Sequence, residues 1–182
     1  MDATIDENIP SHINVRHEKT EKGGTVSISF SNEEDVPVIL NEIFSVISNL
    51  AKLKDHLSRR LKSRNITQDS FLDEIKRSEH LKLILDLDNL EKHGPGRDSW
   101  SGRFPKIIDV GRGISQKDIK SQKPSVFEFS TSGQVKWNDN TVIVNTGTVV
   151  DKNDKIICGY NELVRSAINA WEAIIQKFNL RD

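Results

Sequence analysis

Cysteine is all but missing from this chain of 182 residues, where Cys158 stands alone. A single thiol excludes an intramolecular disulfide and a multi-cysteine zinc site, and it suits a reducing compartment. Charge of one sign is not in excess either. The 26 Lys and Arg residues against 27 Asp and Glu leave a formal net charge of -1, which gives no global attraction to nucleic acid or anionic membrane. The first ten residues are acidic and polar, unlike a signal peptide, and no apolar stretch is expected to reach membrane-spanning length. The expected location is the cytoplasm, with no membrane contact. No cofactor signature and no metal-ligand spacing appear, so neither a cofactor nor a metal is expected.

What the chain does contain is 35% hydrophobic and 29% charged residues with a mean hydropathy of -0.51. That is enough to build a core if the apolar residues are periodic, and the length suits one domain. We expect a tail over 1–10 and a single domain over 11–182. The neutral total hides local imbalance. Six basic residues (Lys52, Lys54, Arg59, Arg60, Lys62, Arg64) face one acid, Asp55, between 52 and 64, and eight basic residues face three acids between 92 and 123. A basic face is compatible with such a distribution.

Alternation predicts a hairpin from strands at 11–17 and 25–30, joined by a turn over 18–24. A long helix over 33–63 follows, opened by a Ser31/Glu34 capping box, with Pro37 in its first turn, where a missing N–H is harmless. Its stripe is Ile39, Ile43, Ile47, Leu50, Leu53/Lys54, Leu57 and Leu61. Thr67 caps a short helix to 76 that buries Phe71, Leu72 and Ile75. A further helix begins at 79 and stops at Gly94-Pro95-Gly96. Strands are then expected at 106–110, 126–130, 135–137, 141–150 and 155–159, with a tight turn over 151–154. A last helix, 161–178, buries Val164, Ala167, Ile168, Trp171, Ile174, Ile175 and Phe178. The fold class is α+β: an antiparallel helical core, a small antiparallel β-meander and a closing C-terminal helix.

The third helix carries the most informative cluster. At about 100° per residue, Asp86, Asn89 and His93 share one face. Leu83, Leu87 and Leu90 lie on one flank and Leu81 and Leu85 on the other, while Asp88, Glu91 and Lys92 point towards solvent. His93 closes the helix, where the dipole favours a cation. Two readings stand side by side. In one, His93 is an acid/base oriented by Asp86 or Asn89, with Lys92 or Arg97 stabilising phosphate charge. In the other, the cluster is a satisfied polar core. Asp55, on the long helix, is a candidate buried partner for Lys92 or His93. Arg97, Arg103 and Arg112, interleaved with Trp100 and Phe104, form either a nucleic-acid loop with stacking or an ordinary surface loop.

Asp86-x-x-Asn89-x-x-Lys92-His93, with Leu53-Lys54-Asp55 upstream and Trp171 downstream, resembles a motif of a loose group of uncharacterised bacterial proteins similar to HEPN-type helical domains. The resemblance covers roughly residues 35–178 in layout. It implies a role in bacterial defence or toxin–antitoxin systems, where such domains are often ribonucleases or inactive relatives. Their nuclease signature, an arginine followed after four to six residues by a histidine, is missing here. The leading expectation is a binding or regulatory protein with RNA or a protein as partner. The alternatives are an RNA-cleaving or nucleotide-modifying enzyme using His93, and a structural homodimer.

Overall fold

In a computed structural model of the chain, the described residues are 14–20, 23–29, 35–94, 98–116, 127–129, 135–137 and 141–180. The 1–10 tail, the Ser31/Glu34 capping box and Arg97 lie outside them. The elements run β1 (Asn14–Thr20), β2 (Gly23–Ser29), α1 (Val36–Ser63), α2 (Gln68–Arg77), α3 (Glu79–His93), β3 (Lys106–Gln116), β4 (Phe127–Phe129), β5 (Val135–Trp137), β6 (Thr141–Val150), β7 (Ile156–Gly159) and α4 (Tyr160–Lys177). The α+β expectation holds: four helices, with a three-stranded sheet in the order β3-β6-β7 and α4 closing the chain. The chain divides into two compact units, Met1–Ile39 with Gly111–Thr146, and Leu40–Val110 with Gly147–Asp182.

The first unit holds two antiparallel hairpins, β1–β2 and β4–β5. The pairing of Thr20 with Gly23 carries the first hairpin further into the 18–24 segment than its turn residues suggest.

The second unit holds the helices. The α1 stripe lands as its spacing predicts, with Ile43, Ile47, Leu50, Leu57 and Leu61 buried and Ala51 beside them. This helix corrects one expectation: a window within Val36–Ser63 has a mean hydropathy of 1.4, and the helix is long and apolar enough to cross a membrane by length and composition alone. Its buried stripe accounts for that composition in a packed helix equally well. The helix ends on a left-handed Asn65 (φ 57°), and the Ile66 N–H reaches back to the Leu61 carbonyl at 3.0 Å.

Helix α3 is the middle of this unit, packing on α2 and α4. Every residue from Leu83 to Asp88 is buried. A helix enclosed on all sides has no solvent face, which is why Asp88, expected outside, is only 8% exposed. Ser78 caps it by accepting from the Leu81 N–H at 3.3 Å. Thr67 caps α2 without a side-chain bond. Phe71 of α2 stacks on Trp171 of α4 with centroids 6.3 Å apart, and meets Phe178 edge-on at 6.2 Å. On α4 the buried seam is Leu163, Ala167, Trp171 and Ile174, whereas Ile168 is 42% exposed. Ala167, Trp171 and Ile174 are buried as expected, while Leu163 is buried in place of Val164, and Val164, Ile175 and Phe178 are half-buried, because two adjacent apolar rows run along this helix and either satisfies helical spacing.

The β6–β7 turn is held by Asp151, whose Oδ1 accepts from the N–H groups of Asn153 (2.8 Å) and Lys155 (3.0 Å). These backbone bonds, Asn153 first, lower its carboxyl pKa. Burial raises the Cys158 thiol, with Glu162 adding to the effect, so the lone cysteine stays a neutral thiol. Burial also pushes the Tyr160 phenol up to about 12.

Two outcomes follow for stability. A Cβ at Gly147 would lie 2.9 Å from Ile107 Cγ2, whereas one at Gly159 meets nothing within 4 Å. Chemical denaturation should therefore show Gly147→Ala losing about 1–3 kcal/mol from overpacking, with Gly159→Ala nearly neutral; equal effects would contradict this packing. Because the Asp151 carboxyl is lowered, its contribution is complete above the ordinary aspartate range and is lost as pH falls through the lowered value. An acid titration of Asp151→Asn should lack that portion of the wild-type loss of stability.

Candidate functional site

Asp86 sits in the enclosed part of α3 at 5% exposure. A carboxylate there must be given donors. The segment Ser99-Trp100-Ser101 supplies them. Oδ1 accepts the Trp100 N–H at 2.6 Å. Oδ2 accepts the Ser99 hydroxyl at 2.6 Å, the Ser101 N–H at 2.9 Å and the Ser101 hydroxyl at 2.5 Å. The two hydroxyls are used again: Ser99 Oγ accepts the Gly102 N–H at 2.9 Å and Ser101 Oγ accepts the Arg103 N–H at 3.1 Å. Gly102 takes φ 73°, a conformation glycine adopts without steric cost. The end of the segment is tied down by Arg103 Nε to Glu79 Oε1 at 3.2 Å, and by the Lys152 N–H to the Arg103 carbonyl at 3.1 Å.

This clamp fixes Trp100, and the Lys54 ammonium of α1 lies 5.4 Å from the centre of its ring. Beside them is a cavity of about 190 Å³ whose wall includes Lys52, Lys54, Asp55, Lys92, His93 and Trp100. The two parts of the sequence motif, one on α1 and one on α3, thus meet at one cavity. Its cations differ in availability. Lys92 Nζ is 2.8 Å from Asp88 Oδ2, and Lys54 Nζ is 3.5 Å from Asp55 Oδ1. Among the described residues, Lys52 and His93 have no hydrogen-bond or ion-pair partner. Asp88 Oδ1 is buried without a partner.

A second cavity, of about 250 Å³, is lined in part by the clamped segment through Ser99. Asp86, Asn89, Leu90, Ser99, Phe104 and Pro105 contribute to its largely apolar wall, with Lys106 and Lys152 among its cations. Asn89 lines both cavities, and its amide makes no hydrogen bond among the described residues.

The predicted residues are therefore sorted rather than gathered. Asn89, Lys92, His93 and Asp55 share the polar cavity. Asp86 does not line it and does not bond His93. Seven residues of helix separate the two by about 10 Å along the axis, and the Asp86 oxygens are already occupied. Asp55 is not a buried partner of Lys92 or His93, since its side chain is 67% exposed and its ion pair is with Lys54. Arg103 is held by Glu79, and Arg112 lies in β3.

Sequence reasoning missed Lys52, Asp88 and the role of Ser99 and Ser101. The signal for the serines was their spacing: two hydroxyls flanking one residue and followed by glycine make a turn that closes on a carboxylate. Asp86→Ala leaves the Trp100 and Ser101 N–H groups without an acceptor. It should lower stability by about 2–4 kcal/mol in a denaturant melt, on the scale of charged hydrogen bonds lost from a buried site. A loss near zero would contradict the clamp. No family model, no curated protein and no solved structure matches this chain.

Proposed function

We propose that the protein is a binding protein for single-stranded RNA, with the polar cavity between α1 and α3 as its phosphate site. The observation that carries this reading is the convergence of Lys52, Lys54, Lys92 and His93 on one cavity beside Trp100. Cations that follow a phosphate backbone, with an aromatic ring on which a base can stack, are the chemistry that single strands require. The two lysines already in ion pairs lie beside carboxylates on the cavity wall, so an incoming phosphate competes with Asp55 and Asp88. Lys52 and His93 offer donors that nothing else among the described residues uses. The similarity of the Asp86-to-His93 motif to HEPN-type domains adds a place in bacterial defence or toxin–antitoxin regulation.

Binding rather than cleavage is favoured because no carboxylate among the described residues bonds His93 to orient it as an acid/base. A general base held by no second group is a weak catalyst.

Fluorescence anisotropy with a labelled short oligouridylate, repeated over a salt series, tests the reading. Affinity should fall steeply with salt, and Lys54→Ala should weaken binding and reduce the slope of log K against log salt by about one. The isosteric Asp88→Asn releases Lys92 and should tighten binding at low salt. Unchanged affinity and slope in Lys54→Ala would overturn the phosphate site. Salt-independent association with a protein instead of RNA would replace the partner class.

A further inference from the structure

The apolar cavity is distinct from the polar phosphate site, and its construction is costly. Phe104 adopts φ 51°, a left-handed conformation unfavourable for a bulky side chain. Burial is not what compensates for it, since Phe104 is 46% exposed. What the strained backbone does achieve is to stand the ring at the wall of the cavity, with the Lys152 ammonium 5.8 Å from its centre. Lys152 has no carboxylate partner among the described residues, whereas the neighbouring Lys106 is paired with Asp154 at 2.6 Å. The volume of about 250 Å³ falls below the roughly 300–1,000 Å³ of sites for drug-sized ligands. It suits a single heterocycle.

The polar groups on the wall narrow the choice further. Asp86 has its oxygens filled, and Ser99 both donates and accepts within the clamp. Asn89 retains a donor and an acceptor with no partner among the described residues. A side-chain amide offers the pair of hydrogen bonds that complements the N6 and N7 edge of adenine. Because Asn89 lines both cavities, a base in one lies next to the phosphate site in the other.

From this we infer that the apolar cavity takes one unstacked adenine base of the bound strand, packed on Phe104 and read by Asn89, with Lys152 at a flanking phosphate. This rests on the RNA-binding reading and assigns it a base-specific pocket. Recognition of this kind targets bases splayed out of a strand and stacked on aromatic side chains.

The test uses the full chain and three labelled oligouridylates: one unmodified, one with a single central adenosine, and one with a single central abasic site. The adenosine oligonucleotide should bind about tenfold more tightly than the abasic one, within the range for stacking of one base. Phe104→Gly removes the ring and relieves the backbone, so it should melt no lower than wild type. It should bind the adenosine and abasic oligonucleotides equally, with the salt slope unchanged. Asn89→Ala should erase the preference for adenosine over uridine. Equal binding of the adenosine and abasic strands by wild type would overturn the base pocket while leaving the phosphate site standing. If none of the three binds, the RNA reading falls and the base pocket with it.

Discussion

One buried carboxylate organises the site. Asp86 is enclosed by its neighbours in α3, and a charge in that position is tolerated only with donors directed at it. The Ser99-Trp100-Ser101 segment directs four. The exchange works in both directions: the carboxylate is satisfied, and a segment outside any helix or strand gains a fixed shape. Trp100 is thereby held near Lys54 at the polar cavity, and Ser99 becomes part of the apolar cavity's wall. Both cavities depend on this arrangement, although Asp86 itself touches only one of them.

The helices around it explain why the carboxylate is so deep. Leu83, Ile84, Leu85 and Leu87 leave α3 no polar face at its middle, so the acids at 86 and 88 are carried inside with the leucines. They meet different fates. Asp86 is capped by the 99–101 segment. Asp88 is tethered through one oxygen to Lys92 in the same helix, an i,i+4 pair with the acid on the favourable N-terminal side, while its other oxygen has no partner among the described residues. At the other end of the unit, Phe71, Trp171 and Phe178 lock α2 to α4, leaving the α1–α3 side to carry the polar groups.

Much of the fold was legible because its signals are local. The stripe on α1, the start of α3 at Glu79 and the β5 and β6 limits all follow from periodicity and turn chemistry. The limits of legibility also have physical causes. Asp88 was assigned to solvent because a helical wheel supposes one buried face, and α3 has burial on every side. Ile168 was assigned to the core because α4 carries two competing apolar rows. The membrane-like composition of α1 is masked in the sequence by charges that cluster towards its C-terminal end. In the site, spacing puts Asn89 and His93 on one face, and both line the polar cavity, but it sends Lys92 to solvent, whereas Lys92 lines the same cavity and pairs with Asp88. It misjudged Asp86, since the donors that capture the carboxylate lie 13 to 15 residues away, and no periodicity reports a turn folding back on a helix.

Hydrogen exchange at the Trp100 and Ser101 amides tests the Asp86 clamp most directly. Both N–H groups lie in a segment between regular elements, yet each is bonded to a buried carboxylate. They should exchange as slowly as the amides in the middle of α3, and their protection should disappear together if the carboxylate is removed. Exchange at the rate of an unstructured peptide in the wild-type protein would mean that nothing holds the segment, and neither cavity would have the walls described.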